Sequence, residues 1–500
     1  MNEILIGIQF LFSDPVNVFL FFAALFGGLF FGALPGISVV TLGAMILPFT
    51  MYLTATQAIM IYAVMYCSGT YGGAVMAILF NIPGAAENAP TAFDGYPLTK
   101  QGKAGKAIGA AVVCSALGGI FSCILMMAGT QYIARWAISA FGPPEMFALI
   151  FFAVAVSSTV GAKSALKGWI SVCIGLVLAT VGTDPVGGTY RYTFNTIELT
   201  AGIHYLALIL GFFSISEVFA QAGKAISTKP VPPKIKIEFP GIEEFWMQRV
   251  NILRSSLIGF FCGLLPGIGT TLAAFMSYSE AKRWSKNPEN FGKGELSGVV
   301  ASETGNNAAT GGAMVPMLAL GLPGGAVTAM MISVFMIHGL EPGPLIMVQQ
   351  HDLVWTVFIC MLLANLCILF LGYVETKTIV NLLRIPTSYL TPTIFILSTV
   401  GAYAIRNSVF DVWVMLIAGL VGFVMKKRDY SPAGIILGSI LGSLGEAALA
   451  KSMQMGNYNW NIFFTRSASC VFMILGICSI IYTVHHARCR LKRNNAKAAP

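Results

Sequence analysis

Uncharged, mostly apolar runs of about twenty residues recur along the whole chain, residues 108–127 among them. A helix needs about 20 apolar residues to cross the ~30 Å hydrocarbon core of a bilayer. The alternating strands of membrane β-barrels, about ten residues each, do not fit this pattern. Only 10% of the residues are charged and 56% are hydrophobic, whereas soluble proteins run near ~25% charged. The sequence predicts an all-α integral membrane protein.

The formal charge of +9 does not point to nucleic acid, because the positive charges lie between apolar runs, where the positive-inside rule places them. The lipid bilayer is the expected partner. The ten cysteines are scattered, with no CxxC pair or His/Cys cluster for a metal, and read as small buried hydrophobes. Basic clusters occur at Lys100/Lys103/Lys106, Lys163/Lys167, residues 224–254, Lys282/Arg283/Lys286, Lys426/Lys427/Arg428 and residues 488–497. All are expected in the cytoplasm. The connections 48–57, 184–198, 338–352 and 451–461 are poor in Lys and Arg and are expected outside. About eleven full crossings follow, with an external N-terminus, free of a basic leader region, and a cytoplasmic C-terminus.

Two long apolar segments, 16–47 and 252–278, have flanks of the same charge character on both sides, so neither reads as an ordinary crossing. Each carries a Pro-Gly near its middle, Pro35-Gly36 and Pro266-Gly267. Proline removes an amide donor and glycine frees φ, so a helix ends there. A re-entrant hairpin satisfies both the charges and the break. The sequences around the two breaks match: Gly27-Gly-Leu-Phe-Phe-Gly-Ala-Leu-Pro-Gly-Ile against Ile258-Gly-Phe-Phe-Cys-Gly-Leu-Leu-Pro-Gly-Ile. A second pair follows each, Gly72-Gly73 then Pro83-Gly84 in one half and Gly311-Gly312 then Pro323-Gly324 in the other.

The flanking charge has opposite sign in the two halves. After the first motif, half one is neutral and half two is basic; after the second motif the order reverses. Matching blocks with opposite topology signals predict inverted-topology repeats. Repeat 1 covers 1–223, with a hairpin at 16–47, an interrupted transmembrane helix at 58–97 and four further spans. A cytoplasmic interfacial connector covers 224–250. Repeat 2 covers 251–460, with a hairpin at 252–278, an interrupted span at 296–337 and four further spans. Residues 461–500 form a terminal span and a basic cytoplasmic tail.

Non-helical backbone at membrane depth is tolerated where it is buried in protein or lines water, which makes the breaks candidate site walls. Pro35, Gly36, Ser38, Thr41, Asn81, Pro83, Gly84, Pro266, Gly267, Thr270, Thr271, Asn306, Asn307, Pro323 and Gly324 are the candidate substrate-binding residues. Hydroxyls, amides and half-helix N-termini suit an anion. Freed carbonyls with hydroxyl oxygens suit a cation. Glu303, Thr310 and Glu87 are the candidate ion-coupling residues, because a carboxylate within an apolar span is costly and functional by default. Serine and threonine in membrane helices also back-bond to their own helix, which is the competing structural role for every hydroxyl named. Glu145, Glu217, Glu375, Asp411 and Glu446 lie near span ends and read as interfacial or structural. No P-loop, nucleophile–base pair or metal cluster is present in the sequence, so an enzyme is not expected.

The repeated Leu-Pro-Gly-Ile blocks, Tyr71-Gly-Gly-Ala, Asn81-Ile-Pro-Gly-Ala, the run Ala301-Ser-Glu-Thr-Gly-Asn-Asn-Ala-Ala-Thr-Gly-Gly and Gly321-Leu-Pro-Gly closely resemble the TctA family, the large membrane subunits of bacterial tripartite tricarboxylate transporters. The resemblance spans essentially the whole chain. It implies a permease of the bacterial inner membrane taking up citrate-like or other organic carboxylates, driven by a Na⁺ or H⁺ gradient, with no other cofactor. It also implies two partners, a small TctB-like membrane subunit and a periplasmic TctC-like solute-binding protein. The hairpin and interrupted helix in each half further suggest an elevator-like architecture, by analogy alone. A stand-alone ion-coupled carboxylate carrier and an anion channel are the alternatives.

Overall fold

A computed structural model of the chain describes residues 2–34, 38–81, 83–157, 165–184, 187–222, 241–265, 269–382 and 387–498. The described chain is helical apart from a two-residue antiparallel pairing of Gly182–Thr183 with Tyr190–Arg191. Six of the described helices are long and apolar enough to cross a membrane: Pro15–Ala33, Ala55–Phe80, Ala104–Trp136, His351–Gly372, Val409–Lys427 and Pro432–Met455. Shorter apolar helices, such as Pro143–Ala155 and Ala326–Ile337, accompany them. The chain is an all-α, multi-pass membrane protein. It divides into two compact units, residues 1–134 with 220–401, and residues 135–219 with 402–500. Each unit therefore draws on both halves of the sequence.

In the first unit, α1 (Asn2–Ser13), α2 (Pro15–Ala33), α3 (Val39–Ile46), α4 (Ala55–Phe80), α5 (Ala89–Lys100) and the start of α6 (Ala104–Ala140) come from half one. Half two supplies α7 (Ile242–Gly263), α8 (Gly269–Arg283), α9 (Leu296–Leu320), α10 (Ala326–Ile337) and α11 (His351–Leu382). All four expected interruptions separate helices. Segment 16–47 splits into α2 and α3, and 252–278 into α7 and α8. The Pro-Gly tips themselves, Pro35-Gly36 and Pro266-Gly267, lie outside the described residues.

The second pair of breaks is described throughout except Ile82. Helix α4 ends at Asn81, whose φ of 57° and ψ of 30° are left-handed; α9 ends at Gly321, with φ 71°. Glycine and asparagine tolerate this conformation better than other residues, and the proline two positions later cannot continue the helix. The entries to the two apolar segments differ. Asp14-Pro15 starts α2 afresh, the Asp14 carboxylate accepting from the Val16 amide at 2.9 Å. No proline or glycine interrupts residues 242–258, so α7 runs without a break from the end of the expected connector, 224–250, into the second apolar segment.

Helices α2 and α4 cross with almost no side chain between them. A Cβ on Gly32 would meet the Gly69 carbonyl oxygen at 2.3 Å, and one on Gly72 would meet that of Leu29 at 2.4 Å. Helices α7 and α9 repeat this contact for contact: Gly263 lies against the Ala309 oxygen at 2.5 Å and Gly312 against that of Phe260 at 2.3 Å. The crossings align Gly72 with Gly312, one residue away from the register that superimposes the two Gly-Gly pairs. Small residues at such crossings let backbones approach, which is the main packing gain available where lipid is as apolar as the side chains.

The second unit holds the helices Pro143–Ser157, Ala165–Ala179, Val409–Lys427, Pro432–Met455 and Ser467–Ala498, and a Tyr205–Ile209 helix that continues through a π-helical turn, Leu210–Ile215. Its span-end carboxylates are paired. Glu145 meets Arg466, Asp411 meets Arg406 at 2.5 Å, Glu446 meets Arg191 at 2.5 Å and Glu217 meets Lys426 at 3.3 Å. A buried carboxylate with a fixed cation is electrically satisfied, in keeping with a structural role. The Glu375 side chain lies outside the described residues.

The crossings make a direct prediction for stability. Gly312→Val forces a side chain into the α7 backbone and should cost about 3 kcal/mol, as overpacking does. Gly129→Ala, where a Cβ meets nothing within 4 Å, should be neutral or stabilising by up to about 1 kcal/mol. Thermal unfolding of the detergent-solubilised protein reads both; equal melting temperatures would mean the crossing is not tight.

Candidate functional site

The least accommodating residue for a membrane interior is Glu303, fully buried on α9. Its carboxyl is held from two other helices. The Thr91 hydroxyl of α5 lies 2.5 Å from Oε1 and the Ser115 hydroxyl of α6 donates to Oε2 at 2.9 Å. Thr91 also lies 3.0 Å from the Ser302 hydroxyl, and Ser302 donates to the Gly298 carbonyl one turn back at 2.8 Å. Among the described residues no Lys, Arg or His side chain forms an ion pair with Glu303. Two of the three helices come from half one and the carboxyl from half two.

Asn306 and Asn307 follow at i+3 and i+4 and so share the face of α9 that carries Glu303. The Asn307 amide donates to the Glu303 carbonyl at 3.1 Å, and Thr310 donates to the Asn307 carbonyl at 2.7 Å. Both polar atoms of Asn306 and Oδ1 of Asn307 are buried with no hydrogen-bond partner. Asn88 Oδ1 and Ser277 Oγ are in the same condition. An unpaired buried polar group costs about 1–3 kcal/mol, so a concentration of them marks a place that a polar ligand can complete.

Glu87 occupies the turn Ala86–Asn88, half-buried, and this turn packs against α4, α8 and α9. Asn88 in the same turn donates to the Thr70 carbonyl of α4 at 3.0 Å. Asn81 is exposed at the end of α4; Pro83 and Gly84 are half-buried, with Gly84 against the Gly32 backbone, where a Cβ would meet the oxygen at 2.2 Å. Ser38 caps α3 without a side-chain bond of its own, and Thr41 is buried on the same helix. Thr270 and Thr271 are half-buried in the first turn of α8. Pro323 and Gly324 are buried, with Gly324 packed on Ala313. Helical rise places Ala313 about 15 Å from Glu303 along α9. The structure thus gathers Glu303 and Glu87 with the Asn88 turn, with Asn306 and Asn307 continuing along α9, and leaves the Pro323-Gly324 break apart from them. The remaining hydroxyls, Ser68, Thr70 and Thr304, bond to carbonyls of their own helices, the structural role that competes with ligand binding.

Sequence reading did not find Thr91, Ser115 or Asp94. Asp94 is buried on α5; its Oδ1 accepts from the amides of Gly292 at 2.7 Å, Gly294 at 2.9 Å and Glu295 at 2.9 Å, and its Oδ2 from the Tyr278 hydroxyl at 2.8 Å. This carboxylate ties α5 to the loop that leads into α9 and is fully satisfied. The available signal was the i, i+3 spacing of Thr91 and Asp94, which puts both on one helix face.

The model of the tripartite tricarboxylate transporter TctA family matches residues 18–437, a stretch holding every residue of this site. Two Agrobacterium vitis proteins are similar. One, an uncharacterized 52.8 kDa protein in the TAR-I ttuC' 3'region, is 33% identical over 467 residues, 93% of each chain. The other, an uncharacterized protein in the TAR-II ttuC' 3'region, is 35% identical over 223 residues, 45% of this chain and 92% of its own. No solved structure matches. With broken helices around a buried polar cluster and a family match over most of its length, the chain belongs to the tripartite tricarboxylate transporter TctA family and is a membrane transporter component.

Proposed function

We propose that the chain is the permease subunit of a tripartite secondary transporter that takes up citrate-like or other organic carboxylates from the periplasm, driven by a Na⁺ or H⁺ gradient. A small TctB-like membrane subunit and a periplasmic TctC-like solute-binding protein work with it. The protein sits in the bacterial inner membrane with its N-terminus periplasmic and its C-terminus cytoplasmic, as the positive-inside pattern directs. Its two halves are inverted repeats, each with a re-entrant hairpin. The first compact unit, which holds both hairpins and the polar cluster, is the carrying body of an elevator-like cycle.

The observation that carries this reading is the set of buried polar atoms without partners, both on the Asn306 side chain and Oδ1 of Asn307, beside Glu303. A pore keeps its polar groups in contact with water, whereas these are closed off and await a partner. Substrate carboxylates are also favoured where α3 and α8 begin after the Pro-Gly tips. Ser38 and Thr270/Thr271 stand at those N-termini, where unpaired amides and the helix dipole favour negative charge.

Truncation of Asn306 or Asn307 to alanine removes hydrogen bonds to a charged ligand worth about 1.5–3 kcal/mol each, so apparent substrate affinity should fall about ten- to a hundredfold. Initial uptake rates against citrate concentration, in cells carrying the permease with its small subunit and binding protein, measure it. Unchanged half-saturation in both variants removes them from the site.

Counterflow separates carrier from channel. Vesicles preloaded with unlabelled carboxylate should accumulate labelled carboxylate transiently and saturably. Flux that rises linearly with concentration and shows no overshoot would establish the channel instead.

A further inference from the structure

Among the described residues, the carboxyl of Glu303 stands in a chain of neutral hydroxyl groups rather than beside a cation. Four oxygen–oxygen contacts link in a chain: Ser115 to Glu303 Oε2 at 2.9 Å, Glu303 Oε1 to Thr91 at 2.5 Å, Thr91 to Ser302 at 3.0 Å, and Ser302 to the Gly298 carbonyl at 2.8 Å. A hydroxyl has one proton to donate, so Ser115, Thr91 and Ser302 supply three. The Gly298 carbonyl supplies none. With an ionised Glu303, Ser115 and Thr91 both donate to the carboxylate, and Ser302 must divide its one proton between Thr91 and the carbonyls of Gly298 and Val299, at 2.8 and 3.2 Å. With a proton on Oε1, each link has its own donor: Ser115 donates to Oε2, Oε1 to Thr91, and Thr91 to Ser302, and Ser302 keeps its proton for the Gly298 and Val299 carbonyls of its own helix.

We propose that Glu303 is the proton-carrying group of this permease, held as a carboxylic acid in the conformation seen here. This deepens the transport reading and rests on it. Release of the proton to water leaves a carboxylate that takes the Thr91 hydroxyl for itself. The Thr91–Ser302 contact then draws on the Ser302 proton, which must leave the carbonyls of its own helix, and the hold between α5 of half one and α9 of half two is weakened. That weakening is what ties proton release to movement of the broken helices.

Among the described residues, no cation pairs with the carboxyl. The turn at Ala86–Asn88 contributes Glu87, a second acid, and the Asn88 amide; α6 contributes Cys114, α4 contributes Tyr66 and Cys67, and α8 contributes Tyr278, bonded to Asp94 of α5. Helix α7 brings Glu243, Glu244, Arg249 and Arg254; Arg249 bonds the Trp246 carbonyl, Arg254 the Asn251 side chain, and neither pairs with Glu303. Helix α10 has no titratable side chain.

Infrared spectroscopy of the purified full chain, in an ester-free detergent at neutral pH, reads the proton directly. The carbonyl stretch of a buried carboxylic acid should be present in the wild type and in Glu87→Gln. It should be lost entirely in Glu303→Gln and shifted in Thr91→Val, which keeps the fold while removing the acceptor. Addition of Na⁺ at constant pH should leave it unchanged. A spectrum identical in wild type and Glu303→Gln overturns the proposal, and so does an acid band that Na⁺ abolishes, which makes the group a cation ligand. The infrared result needs no substrate. Absence of carboxylate uptake under every imposed gradient would therefore overturn the transport reading while this band stood, and the reverse holds equally.

Discussion

A carboxyl buried at the junction of three membrane helices sets the terms for much of the first unit. Glu303 cannot be left without partners in that environment, because burying an isolated charge or an unpaired acid is far more costly than any local packing gain. Its partners, Thr91 and Ser115, come from helices nearly two hundred residues earlier in the sequence. To deliver them, α5 must return beside α9, and it does so because α4 stops at a left-handed Asn81 and the chain turns through Pro83 and Gly84. Asp94, one turn beyond Thr91, then anchors the same helix to the amides of residues 292–295. The break, the acid and the anchor form one arrangement.

The glycine crossings make this arrangement possible in a bilayer. Without a solvent-driven hydrophobic term between helices, close backbone approach supplies much of the cohesion. Gly32 with Gly72 in half one and Gly263 with Gly312 in half two serve the same geometric purpose. Each crossing brings two backbones into direct contact, and the proline beyond each helix end cannot donate to a continuing helical ladder.

How much of this the sequence displayed follows from distance along the chain. The Pro-Gly breaks at 83–84 and 323–324, and the separation of α2 from α3 and α7 from α8, were legible because proline and glycine act on their own backbone. Glu303 stood out as an acid within an apolar run. Thr91, Ser115 and the donors to Asp94 were not legible, since each acts across 184 to 212 residues and a hydroxyl in a membrane helix carries no sign of which role it takes. Ser68, Thr70 and Thr304 bond to their own helices, while Thr91, of the same chemistry, reaches across. The continuity of α7 from Ile242 past the expected boundary at 250 also escaped the pattern, since no proline or glycine marks a boundary there.

The central claim is that Thr91 and Glu303 act on one another across the two halves. A double-mutant cycle on thermal stability, using Thr91→Val, Glu303→Gln and the pair, measures that interaction directly. Contact through a shared hydrogen bond predicts penalties that fail to add by about 1–3 kcal/mol. Penalties additive to within about 0.5 kcal/mol would contradict the account, leaving Glu303 and Thr91 as neighbours without a common function.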